Sequence, residues 1–273
     1  MRGPELKAAD RDRFFARLGR SGLGLLEYSG GATLLLGQTL RGVLSSPARR
    51  WGQALQQLER VGWQSLPVVA FMSFFIGMAV AFQISYQMHK LAFAADLYLP
   101  SFAALMILRE IGPVLTGLII AGRVGAASAA ELGTMRISGQ IDALRALASN
   151  PVRYLVVPRL AALCLGLPLL TLYADAIGLA GGYLVGTTQL ALSPTLYWQM
   201  SARLITSPDL FTGLIKALVF AVIIATISSF EGLRARGGAK GVGRATTRAV
   251  VISFVLIIAA DALFTAAFYA IGG

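Results

Sequence analysis

Five stretches of this chain are each apolar enough and long enough to cross a lipid bilayer: residues 65–88, 98–122, 154–179, 210–230 and 249–271. A helix needs about 20 mostly apolar residues to span hydrocarbon. The first stretch contains SLPVVAFMSFFIGMAVAF, the fourth LFTGLIKALVFAVIIATISSF and the fifth AVVISFVLIIAADALFTAAFYAI. Backbone groups in lipid must be hydrogen-bonded within the protein, which leaves helices or a closed barrel. No alternating apolar–polar segments support a barrel. The composition agrees: only 14% of the 273 residues are charged, against roughly 25% in a soluble domain. One histidine and one cysteine exclude a His/Cys zinc cluster, a Cys-His nucleophile and a disulfide framework within one chain. No metal or cofactor is expected. Residues 180–209, Gly-rich and then polar with Pro194 and Pro208 as breakers, read as a connecting loop carrying at most one short helix.

The formal net charge of +11 could signal nucleic acid or membrane, and the position of the charges decides. Residues 1–64 hold ten Lys and Arg, 123–159 hold five and 231–248 hold five, whereas the loops on the other side hold only Lys90 and Arg203. Basic residues in short loops mark the cytoplasmic side. The expected topology is therefore a multi-pass membrane protein with a cytoplasmic N-terminus and, after an odd number of spans, its C-terminus on the far side. The charge answers to anionic headgroups, not nucleic acid. The chain divides into a cytoplasmic and interfacial segment, 1–64, and a transmembrane domain, 65–273. In the first of these, Arg13, Arg17 and Arg20 share one helical face, opposite Phe14, Phe15, Leu18, Leu25 and Leu26. That pattern fits a helix lying in the membrane interface, with a loosely ordered basic tail as the alternative for residues 1–12.

Ionisable side chains inside spans are costly and are functional candidates by default. Here they are Arg109, Glu110, Asp175, Lys216 and Asp261. Arg109 and Glu110 are sequence neighbours, about 100° apart on a helix, so neither neutralises the other. Gly112 and Pro113 follow at once and permit a kink. The bland alternative is structural pairing between helices, for example Glu110 with Lys216. His89, at a span end, and Cys164, inside span three, carry no assigned chemistry.

Residues 121–160, AGRVGAASAAELGTMRISGQIDALRALASNPVRYLVVPRL, form the second informative segment. Small residues at its start allow close helix approach. Ile137, Ile141, Leu144 and Ala148 then recur at helical spacing, with Thr134, Ser138, Asp142 and Arg145 on the other side, until Asn150-Pro151 stops the helix. Such a helix docks on a soluble partner or lies on the membrane. GGAKGVGRATT lacks the spacing of a phosphate-binding loop, so ATP hydrolysis, if used, belongs to another chain.

LREIGPVLTGLIIAGRVGAASAAELGTMRISGQIDALRAL, NPVRYLVVPRLAA and GRATTRAVV together resemble the MlaE/YrbE-type permease of the MCE-associated lipid ABC transporters. The resemblance runs from about residue 60 to the C-terminus, and its central motif covers some forty positions. It implies an all-α permease with an N-terminal interfacial helix, five transmembrane helices and a short cytoplasmic coupling helix between spans two and three. It implies a homodimer on a cytoplasmic ABC ATPase dimer, a periplasmic ring of MCE-domain proteins, a small STAS-domain subunit as a further partner, and phospholipid as substrate. Arg109, Glu110 and Ile111 would line the lipid cavity between subunits, with Val80, Gln87, Met88 and Leu91 at the end of span one. Glu131–Leu147 would form the coupling helix, presenting Glu131, Met135, Arg136, Ile137, Gln140, Ile141, Asp142 and Leu144 to the ATPase. The GRATTR segment receives no role. The chain would itself be no enzyme. The rivals are import of sterols or other hydrophobic compounds by the same architecture, a proton-driven secondary transporter, and an intramembrane lipid enzyme; the last is disfavoured because Glu110, Asp175 and Asp261 sit on different spans.

Overall fold

A computed structural model describes residues 23–24, 26–43, 51–90, 95–189 and 191–272. Among these residues the chain is helical between short turns, and five helices are long and apolar enough to cross a membrane. The expected interfacial residues Arg13 to Leu18, Arg20 and Leu25 lie outside the described part, as does Leu91. Helix α1 covers 26–43 and α2 covers Trp51–Gly62. Span one is α3, Leu66–Lys90. Span two is built in pieces: α4, Ala95–Met106, a π turn over Ile107–Ile111, α5, Gly112–Ile120, a second π turn over Ala121–Gly125, and α6, Ala126–Ile137. A short α7, Gln140–Ala146, follows. Span three is a π turn over Val152–Val156 and α8, Val157–Thr188. Then come α9, Pro194–Leu204, span four, α10, Ser207–Leu233, and span five, α11, Gly238–Gly272.

Two of the three π turns among the described residues stand just before a proline, which accounts for them. Pro113 and Pro158 lack the N–H that a continuing α-helix requires. In each case the turn just before closes by a wider bond: the Gly112 amide donates to the Ile107 carbonyl, and the Val157 amide to the Val152 carbonyl. A π turn inserts one residue and leaves carbonyls free for other partners.

Three expectations are corrected. Residues 180–188 are not loop but the last turns of α8. Their glycines fit against neighbours: Gly181 lies against the Phe74 carbonyl of α3, and Gly186 faces the Tyr197 ring. Close packing of small residues extends the helix where composition alone suggested a break. Only α9 interrupts the connection, as one short helix capped by the Ser193 hydroxyl, which accepts from the Leu196 amide at 3.2 Å. The GRATTR segment, expected just before span five, lies on that span's own helix, because α11 begins at Gly238 and carries it in its first turns. The single amphipathic helix expected over 131–147 is broken at Ser138–Gly139, where Gly139 adopts φ +77°. Glycine takes that left-handed conformation without the strain a Cβ would bring. The two pieces bury different things: Ile141 is fully buried, whereas Ile137 is 40% exposed.

The core lies where α5, α8, α10 and α11 meet, around Ile120, Leu163, Leu167, Phe220, Ile224 and Ile257. Helix α8 is central and packs on α3, α10, α2 and α5. Gly77 of α3 faces the Gly178 backbone of α8, so these helices touch almost backbone to backbone. Span two from Tyr98 to Ile137 has 40 residues, about 60 Å of helix, twice a hydrocarbon core of about 30 Å. Its far end therefore projects beyond the bilayer, on the side that carries α2, α7 and most basic residues.

Candidate functional site

Lys216 has no solvent exposure at all, yet it carries a charge in the apolar part of α10. The helix that holds it is firmly started: Pro208 stands in its first turn, and Thr206 and Asp209 form a capping box. The Asp209 carboxylate accepts from the Thr206 amide at 2.8 Å and from its hydroxyl at 2.7 Å. Seven residues on from Asp209, about 10 Å along the axis, the Lys216 ammonium enters a nest of oxygens. It donates to Glu110 Oε2 at 2.7 Å, to Thr265 Oγ1 at 2.8 Å and to the Arg109 carbonyl at 3.1 Å. Asp261 Oδ1 lies 2.8 Å from the same nitrogen. Thr265 in turn donates to the Glu110 carboxylate at 3.1 Å.

The Arg109 carbonyl is available for a reason. In an α-helix it would accept from the amide of residue 113, and Pro113 has none. The ammonium takes that place. The π turn at Ile107–Ile111 thus supplies a backbone acceptor and a carboxylate to one cation, while α11 supplies Asp261 and Thr265. Three spans meet on one nitrogen. Glu110 with Lys216 is the interhelix pair that the sequence offered as an example, and Asp261 joins it. The carboxyl groups of Glu110 and Asp261, far apart in sequence, are brought together after all.

Arg109 points elsewhere, as its neighbour relation to Glu110 requires. Its Nη1 is 3.6 Å from Asp209 Oδ1, with the arginine side chain 42% exposed. The cluster is sealed on one side and open on the other: Glu110 retains 37% and Asp261 20% side-chain exposure. Charged groups open to lipid tails are untenable, so this face needs a wet or polar cavity, or a partner. The apolar helix next to it is itself poorly covered. Only 17% of the apolar stretch of α11 is buried within the chain, against 39–61% for the other four spans.

Asp175 is not part of the network. It is 4% exposed on α8 and its Oδ1 occupies the place where a Cβ on Gly112 would stand. The sequence counts it among the ionisable candidates inside spans, with interhelix pairing as the alternative; it has no ion pair among the described residues. Ile111 completes the π turn, half-buried. Of the expected cavity residues on span one, Val80 is 9% exposed and Gln87 is exposed. Met88 closes the same helix, with its side chain outside the described residues. Helix α3 packs chiefly on α8 and α4, not on α10 or α11, so one chain alone does not bring these residues to Lys216. What the sequence missed was Thr265 and Asp209, one a neutral residue in an apolar span and the other a helix cap.

At the basic end, Glu131 is tied to α8 by Arg159 Nη2 at 2.7 Å. Asp142 of α7 pairs with Arg136 at 2.6 Å and Arg145 at 3.3 Å. Met135 and Leu144 are half-buried, and Gln140 is exposed beside the turn. The Asn150 carboxamide accepts from the Val152 amide at 2.9 Å, so Asn150-Pro151 starts the next helix as well as ending the last.

Comparison with known proteins places these features in a family. The family model described as Permease MlaE matches residues 54–267. A "Probable ABC transporter permease protein" of Rickettsia prowazekii is 46% identical over 215 residues, which cover 79% of this chain and 82% of the relative. TRIGALACTOSYLDIACYLGLYCEROL 1, a chloroplastic protein of Arabidopsis thaliana, is 39% identical over 236 residues, 86% of this chain and 67% of the relative. The intermembrane phospholipid transport system permease protein MlaE of Haemophilus influenzae is 34% identical over 219 residues, 80% and 83% of the two chains.

Proposed function

The chain belongs to the MlaE permease family, and from that premise we propose that it moves phospholipid between the inner membrane and periplasmic MCE-domain carriers. As an ABC transporter permease it is the membrane-spanning subunit and not itself an enzyme. ATP hydrolysis belongs to a cytoplasmic ABC ATPase dimer in this reading, and the small STAS-domain subunit joins on the same side.

One observation carries the proposal: a cluster of two cations and three carboxyl groups (Arg109, Lys216, Glu110, Asp209 and Asp261) deep in the membrane domain and open on one side. A carrier for a phospholipid needs an apolar cavity with a few polar groups for the headgroup. Tails kept out of water avoid a penalty of roughly 0.8 kcal/mol per CH₂. The bare apolar flank of α11 next to the open cluster fits a homodimer that closes this cavity across its axis. In that dimer Arg109 is the group with charge to spare for a phosphate, since its pairing with Asp209 is loose. In this reading the end of α3, with Val80 and Gln87, reaches the cavity from the partner subunit. The positive-inside rule sets the basic end in the cytoplasm and Gly273 in the periplasm. On the cytoplasmic side α6 and α7 would meet the ATPase as two short helices hinged at Gly139.

The test is purification of the tagged full chain from gently solubilised membranes, followed by mass spectrometry of bound proteins and lipids. Co-purification of an ABC ATPase, an MCE-domain protein and phospholipid is expected. Reconstituted transport should require ATP and should fall at least about tenfold in Arg109→Gln, as one lost charge-assisted contact implies. Transport by the isolated chain driven by a proton gradient would overturn the reading. Bound sterol in place of phospholipid would move the substrate to another class of hydrophobic compound.

A further inference from the structure

Two cavities meet at Tyr28. One, about 730 Å³, lies between α1, α10 and α11, walled by Ala32, Leu36, Ile223, Ile227, Ile252 and Leu256. The other, about 410 Å³, opens at the basic end beside Glu27, Glu231, Arg234, Arg236, Arg244 and Arg248. Tyr28 lines both. Its ring stands edge-on to Phe230 at 5.0 Å, and Arg234 lies over the other neighbour of that contact, 5.0 Å from the Phe230 centroid. Gly31 lets α1 approach this closely, because a Cβ there would meet the Phe230 ring.

The charge in the second cavity is unbalanced. Arg234 is 3.9 Å from Glu27, but Arg236, Arg244 and Arg248 have no ion pair among the described residues. Arg244 and Arg248 are four apart on α11 and so share a face. Burial, with the Glu231 carboxylate next to it, raises the pKa of the Tyr28 hydroxyl; a phenol is protonated at neutral pH with or without that shift and can donate. The apolar groove then runs inward along α11 from Arg248 to Leu256, eight residues or about 12 Å. That is close to one leaflet's share of a hydrocarbon core of about 30 Å.

We infer that this composite site holds an anionic phospholipid of the adjoining leaflet, its phosphate against Arg244, Arg248 and Tyr28 and its acyl chains between α1, α10 and α11. A groove whose exposed surface is almost wholly apolar gives no reason to prefer one lipid; guanidinium groups at its mouth do, because they pair with phosphate and with a net-negative headgroup. The site is separate from the Lys216 cluster, since Glu231 and Lys216 are 15 positions apart on α10, about 22 Å. It gives the GRATTR segment, whose two arginines are Arg244 and Arg248, a role that does not depend on the transport reading.

Native mass spectrometry of the full chain in detergent tests it, with palmitoyl-oleoyl phosphatidylglycerol and the matching phosphatidylcholine as probes. One phosphatidylglycerol per chain should be retained on the order of tenfold more tightly than phosphatidylcholine. Arg244→Gln with Arg248→Gln should abolish the preference, and the paired Lys substitutions should keep most of it. Ile223→Trp, which fills the groove and leaves the arginines, should expel the lipid. Equal retention of both lipids, or an unchanged preference in the Gln variant, overturns the inference. Soluble glycerol phosphate competing as well as the intact lipid would show a free-anion site instead. Loss of the bound lipid on dimerisation, with Ile223→Trp blocking the dimer, would show that a second copy fills the groove.

Discussion

The membrane domain and its basic end both rely on ion pairs, but the two sets are built on opposite terms. Around Lys216 a cation with no solvent exposure is shared by Glu110, Asp261, Thr265 and a backbone carbonyl. Around Asp142 a carboxylate that is 59% exposed touches two arginines on the surface. In the first set the cation has lost all its water and its carboxyl partners part of theirs, so removing the lysine leaves half-desolvated charges without a partner. In the second, water replaces whatever is lost. The difference assigns structural weight to the interior cluster and leaves the exterior pairs free for a changeable surface.

Removing the interior cation should break that contrast most severely. Lys216→Met strands two carboxyl groups and the Arg109 carbonyl, and should cost about 3–5 kcal/mol, read as a fall in the thermal midpoint of the detergent-solubilised protein. Adding Glu110→Gln and Asp261→Asn to Lys216→Met should restore part of that loss, because no unpaired charge then remains. If the single and triple variants are equally destabilised, packing of the lysine stem outweighs its charge. Gly112→Ala comes next. Its Cβ would coincide with the Asp175 carboxyl group, and forced overpacking of this kind costs roughly 1–3 kcal/mol. Asp175→Ala in the Gly112→Ala background should recover stability, and a double-mutant cycle with no coupling between the two would refute the contact.

These interior effects also mark how far the sequence could be read. Five spans and their order follow from hydropathy alone, since burial in lipid leaves the chain little choice. The Glu110–Lys216 pair was open to reasoning because two opposite charges in apolar helices each need a partner. Asp261 as a third member was not, because which faces meet depends on how α10 and α11 rotate against each other. Neither was Thr265, a neutral residue with no reason to stand out. Helix ends failed where packing overrode composition: the glycines of 181–186 looked like loop until α3 and Tyr197 filled the space against them. The break at Gly139 failed the other way, because Ile137, Ile141 and Leu144 keep helical spacing across a turn.

Arg159 and Glu131 sit between the two extremes. The arginine side chain is 6% exposed while the carboxylate is 51% exposed, so the pair is buried from one side only. Arg159→Met removes a desolvated guanidinium and leaves a carboxylate that water can reach. Its cost should be about 1 kcal/mol, well below that of Lys216→Met. A loss as large as the interior one would mean that Arg159 holds α6 against α8 through contacts beyond Glu131.

The smallest effect on stability belongs to Asp142→Ala. Both of its arginine partners keep solvent access, with 28% side-chain exposure at Arg136 and 61% at Arg145, so the unfolding midpoint should move by less than about 0.5 kcal/mol equivalent. Its effect on function should be out of proportion to that. Arg136 of α6 reaches across the Gly139 turn to this carboxylate on α7, while Arg145 pairs with it within α7, so α6 and α7 lose that tie when it goes. If this surface transmits movement from a soluble partner, substrate-stimulated ATPase activity of the assembled complex should drop while basal hydrolysis and the thermal midpoint stay put. An unchanged stimulation would remove α7 from the coupling path. A large fall in the midpoint would instead place Asp142 with the interior pairs and erase the distinction between the two regions.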